Sequence, residues 1–241
     1  MQAQTFLLVI ATGIVVMLIS MALDFLWAQA IPVRIFYYII KAPGVIIHEC
    51  SHVLGCLITG ATVKKVVLFS REGGSVTYAS PKIPYLGDVV ISTAPLFCIP
   101  LVLAGCTWVF SQYLGCALPL LSSNFSSMDA VLGLGSGIVE MFTLNLFVRF
   151  NAWFLVYLYL TLSLVLSVAP SSQDIRNAAI GICILTFSGI LILWSGIPFA
   201  VSVLEKITLL IGIGCALGLA FGIIALVISV PLMIWYVHVH F

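Results

Sequence analysis

Two histidines four residues apart with a glutamate after the first, His48-Glu49-Cys50-Ser51-His52, form an H-E-x-x-H pattern. On a helix, positions i and i+4 project from one face, so both imidazoles can place a ring nitrogen about 2.0 Å from a single Zn²⁺. Glu49 then lies beside the metal without binding it, where a general base belongs. The pattern sits in a stretch apolar enough to cross a bilayer, where ionisable side chains are costly unless they work. It therefore predicts a zinc hydrolase with its centre inside the membrane.

A catalytic zinc takes three protein ligands and keeps one position open, so a further residue must reach the two histidines. The available groups are Asp174, Glu140, Asp88, Asp24, Glu72, His238 and His240. Asp174 is preferred, because it follows a spanning helix at the helix-breaking Pro170-Ser171-Ser172. The competing role for Asp174 is capping the helix that starts there. Asp24 reads as an interfacial or bundle contact, and His238 and His240, beside Trp235 and Tyr236, as part of a membrane-interface belt.

The elements that must position these residues follow from composition. The chain of 241 residues is 63% hydrophobic and 7% charged, with mean hydropathy +1.27, too little polar surface for a soluble globule. An all-α polytopic membrane protein is expected. Six segments are long and apolar enough to span, beginning near Thr5, Ile35, Tyr85, Phe150, Ile175 and Ile207. The second carries the motif and should kink at Pro43-Gly44. The stretch from Met128 to Phe147, with Gly133, Gly135, Gly137 and Glu140, suits a re-entrant or interfacial helix. That gives about six transmembrane helices.

Residues 62–80 change character: TVKKVVLF, then SREGG, then SVTYAS, a β-hairpin pattern around Gly73-Gly74. Lys64, Lys65, Arg71 and Lys82 flank it, so the positive-inside rule turns it to the cytoplasm, and the motif lies near that face. An extended substrate strand can add to its edge, making Val63, Val67, Ser75 and Val76 the expected substrate-binding residues.

A net charge of +1 without a basic run gives no footprint for nucleic acid. The seven cysteines make no C-x-x-C pair, so neither a disulfide framework nor a thiolate site is expected. The N-terminal apolar run, without a basic n-region, should remain as a helix. One integral-membrane unit, residues 1–241, is read, with a catalytic core at about 35–176.

Over roughly Ile35 to Arg176 the chain resembles the site-2 protease family of intramembrane metalloproteases. The likeness rests on H-E-x-x-H in a membrane helix, a following hairpin, a Pro-containing third span near Ser92-Thr93-Ala94-Pro95, and an acidic residue after a later helix. It implies a minimal, divergent member with one Zn²⁺, a transmembrane protein substrate, and Asp174 as counterpart of the Asp in that family's Leu-Asp-Gly motif. Here the triplet is Gln173-Asp174-Ile175, and Leu166 and Ser167 stand where the family carries an Asn. Two other readings are an HtpX-like membrane metallopeptidase with Glu140 as a gluzincin-type third ligand, and a non-catalytic membrane metal-binding or transport protein.

Overall fold

A computed structural model of the chain describes residues 3–31, 34–68, 70, 73–118, 136–169 and 174–240. The protein is mostly helical: α1 (Ala3–Ala30), α2 (Arg34–Thr59), α3 (Leu86–Tyr113), α4 (Ser136–Val148), α5 (Ala152–Leu166), α6 (Asp174–Ser195) and α7 (Pro198–His240). A two-stranded antiparallel sheet, β1 (Val63–Val67) and β2 (Ser75–Tyr78), joins α2 to α3.

Among the described residues four helices are long and apolar enough to cross a membrane: α1, α2, α3 and α7. The six expected spans are not all of that length. The segment expected from Phe150 to Val168 forms a helix of 15 residues, because Asn151 caps its start by accepting from the Trp153 N–H and the chain turns at Ser167. About 20 residues are needed to cross. The boundary between the last two segments also moves. Gly196, at φ 64, ends α6, and Pro198 occupies the first position of α7, where its missing N–H costs nothing. The last span is expected to begin near Ile207, but Glu205 and Lys206 just before it ride inside α7. The Glu140 region forms α4, a short apolar helix ending in a π-helical turn at Thr143–Val148.

α1 packs along α7, while α3 lies between α2, α6 and α7, and α2 also leans on α5. Small residues let backbones meet: a side chain at Gly214 would collide with the Pro100 carbonyl of α3, and one at Gly222 with Ile19 of α1. The core joins Leu23, Ile99, Met141, Phe154, Tyr157, Leu166 and Leu217, all fully buried. All seven cysteines are free thiols.

The hairpin pairs Val63 with Tyr78, Val66 with Val76 and Val67 with Ser75, with a bulge between Val63 and Lys65. Val63, Val76 and Tyr78 pack on Cys56, Ala61 and Ile91, pinning the sheet to the end of α2 and the start of α3. Alternation along the strands then sends Ser75 and Thr77 to the other face.

Candidate metal centre

The geometry of α2 starts from Pro43. Proline has no N–H, so the Ile39 carbonyl four residues earlier loses its helical donor. Tyr159 of α5 supplies one, its hydroxyl donating to Ile39 O at 2.7 Å. One turn on, the Gly44 N–H donates to Ser163 Oγ at 2.8 Å. One turn further, His48 Nδ1–H donates to the Ser167 carbonyl at 2.7 Å. Tyr159, Ser163 and Ser167 are spaced by four, so one face of α5 forms a ladder of hydrogen bonds along the kinked helix. Gly44 is required where the helices touch, since a β-carbon there would collide with the Ser163 carbonyl.

Ser167 follows the last residue of α5, where helix carbonyls have no intrahelical partner and the negative end of the helix dipole lies. His48 uses one of them. His52 makes the matching bond on the other side, Nδ1–H to the Ile91 carbonyl of α3 at 2.8 Å. A carbonyl can only accept, so both rings carry a proton on Nδ1, which leaves Nε2 as the nitrogen that could face a metal. This is the outer-shell arrangement that orients metal-binding histidines.

The ring centroids stand 4.9 Å apart, with planes at 72°. Two imidazoles bound through Nε2 at about 2.0 Å, at a tetrahedral angle, would hold their centroids about 5 Å apart. The ring spacing matches that of two ligands sharing one Zn²⁺. Both histidines and Glu49 are buried, each 7% exposed. Gly74, one residue before β2, lies directly on Glu49: a β-carbon there would meet its side chain, Cδ and Oε1 at 2.7 Å. The hairpin therefore brings main chain to the carboxylate.

The other expected ligands fare differently. Asp24 is taken by Tyr37 and Lys41, its carboxylate accepting from both, and is a structural ion pair between α1 and α2. Asp88 sits half-buried in the first turn of α3. Glu140 is exposed on α4. Among the described residues no His, Cys, Asp or Glu joins His48 and His52 in a group of three, so neither Glu140 nor Asp88 is gathered with them. The backbone of α6 begins at Asp174, five residues beyond Ala169, whose N–H is held by Ser20 Oγ. The Asp174 side chain, Glu72 and the side chains of His238 and His240 lie outside the described residues. Of the expected substrate residues, Val63 and Val76 face the protein, whereas Val67 and Ser75 pair at the end of the sheet next to Gly74.

Sequence reasoning overlooked Tyr159, Ser163, the Ser167 carbonyl and the Ile91 carbonyl. A signal existed for one of them and for the partner of another: each proline inside a helix marks an orphan acceptor four residues earlier, Ile91 for Pro95 and, for Pro43, the Ile39 carbonyl that Tyr159 meets. Comparison with protein-family models, curated proteins and solved structures finds no match. The reading therefore stands on the site itself.

Proposed function

We propose that this chain is an intramembrane zinc metalloendopeptidase of the site-2 protease type. The observation that carries the reading is the pair of buried imidazoles, each with Nδ1–H held by a carbonyl of a different helix, beside a buried glutamate. In this reading His48 and His52 are two ligands of one Zn²⁺ and Asp174 is the third. The protein is a multi-pass protein of the cell membrane, with about six spans and its site towards the cytoplasmic side. The flanking Lys64, Lys65, Arg71 and Lys82 support that orientation.

The substrate is a membrane-embedded protein whose helix unwinds near the site, because helical amides are already hydrogen-bonded and shielded. Its extended strand pairs with the hairpin edge near Val67 and Ser75, with Val63 and Val76 anchoring the strands from beneath. Zinc, when bound, supplies Lewis-acid chemistry that acidifies water and polarises the scissile carbonyl. Glu49 takes the proton as the water oxygen adds to the carbonyl carbon. It then returns that proton to the amide nitrogen as the C–N bond breaks.

Zinc content separates the acids. Purified wild-type protein should hold one zinc per chain by elemental mass spectrometry, Asp174→Asn should lose it, and Glu140→Gln should keep it. Full zinc in Asp174→Asn would remove Asp174 from the ligand set, and loss in Glu140→Gln would replace it with the α4 glutamate.

Gly74 offers a second check. In Gly74→Ala the new methyl must push either the hairpin or Glu49 aside, and displacements of about 1 Å can cost on the order of 100-fold in rate. Turnover of a reconstituted transmembrane substrate should fall by about that factor with zinc retained. Unchanged turnover would show that the contact plays no part.

A further inference from the structure

Within a regular helix the carbonyl of residue i accepts from the N–H of residue i+4. Ile91 stands four residues before Pro95 in α3, so the donor that would serve the Ile91 carbonyl does not exist. That same carbonyl accepts Nδ1–H of His52 at 2.8 Å. We infer that Pro95 is a positioning residue for the metal centre: by withholding an N–H it reserves the Ile91 carbonyl for His52 and so presents Nε2 to the ion. The inference rests on the metal reading above.

Packing supports the assignment. Ile91 and Pro95 are buried, so solvent does not compete for the carbonyl. α2 meets α3 closely at this level: a β-carbon on Gly55, three residues after His52, would lie 2.9 Å from the Ile91 Cα. The short approach carries the imidazole to the α3 main chain. Pro43 shows the same device in α2, where the orphan carbonyl of Ile39 receives the Tyr159 hydroxyl. Pro100 provides an internal contrast, because it lies in the same helix but the carbonyl it orphans is that of Leu96, not the Ile91 carbonyl that His52 uses.

A Pro→Ala change inside a helix ordinarily strengthens it, by about 3 kcal/mol on propensity scales. Pro95→Ala should instead harm the site, because the restored N–H competes with His52 for one acceptor. The test uses the full chain, labelled with ¹⁵N-histidine and reconstituted in lipid. Wild type should show His52 as the Nδ1–H tautomer with a hydrogen-bonded proton; Pro95→Ala should lose that signature and bind zinc about tenfold or more weakly. Pro100→Ala should change neither.

Retention of the Nδ1–H signature in Pro95→Ala overturns the inference, as does an equal change in Pro100→Ala. Should the alanine variant not fold, Pro95→Gly restores the same N–H with a smaller gain in helix propensity and is read identically. The tautomer is observed without metal, so a wild-type protein that takes up no zinc would end the peptidase reading while the Pro95 comparison still decides the inference.

Discussion

Replacing Glu49 by glutamine should cut peptide hydrolysis about 10²–10⁴-fold and leave zinc in place. Glutamine keeps the shape that fits beneath Gly74, so neither the hairpin nor α2 has reason to move. It cannot take a proton, and general acid–base catalysis typically contributes about 10²–10⁴-fold. Turnover of a reconstituted transmembrane peptide should fall by that factor, while elemental analysis still finds one zinc per chain. Undiminished turnover would strip Glu49 of its role as general base.

His48→Ala should act on the other half of the centre and empty it. Loss of an outer-shell partner costs about 10–100-fold in metal affinity, and loss of a ligand should exceed this. Competition against a chelator should show no high-affinity zinc. The fold should survive, because Tyr159 to Ile39 and Gly44 to Ser163 still fasten α2 to α5, and α2 keeps its packing on α3. Unchanged helical circular dichroism with no zinc is the expected pair of results. Wild-type affinity in this variant would place any bound zinc elsewhere.

Much of this architecture is legible from local signals. α1, α2 and α3 announce themselves by apolar length, and the hairpin by its β-branched runs around Gly73-Gly74, because these features need no knowledge of neighbours. The ends of α5 and the joint between α6 and α7 are less so. Whether an apolar run continues as helix through Glu205-Lys206, or stops at Ser167, depends on what receives the end carbonyls and where charged side chains find solvent.

The same division runs through the site. His48, Glu49 and His52 are visible as a spacing, since one helix brings them together. The ladder on α5 and the Ile91 carbonyl are main-chain or hydroxyl contributions from separate helices: Pro43 and Pro95 mark the orphan acceptors Ile39 and Ile91, but no residue type tells which donor reaches them. Val63 and Val76 show the same limit, because strand alternation does not tell which face of the hairpin packs inward, and both lie against Cys56, Ala61 and Ile91.

α5 carries a consequence for the medium around the protein. Fifteen residues rise only about 22 Å, against a hydrocarbon thickness of about 30 Å. His48 hangs from the carbonyl just past the last turn of this helix. In the proposed setting, acyl chains flanking α5 must compress, drawing headgroups and their hydration down towards the imidazole. In that setting lipid tail length would be a variable of the proposed reaction, with thinner membranes wetting the centre and thicker ones starving it of its co-substrate.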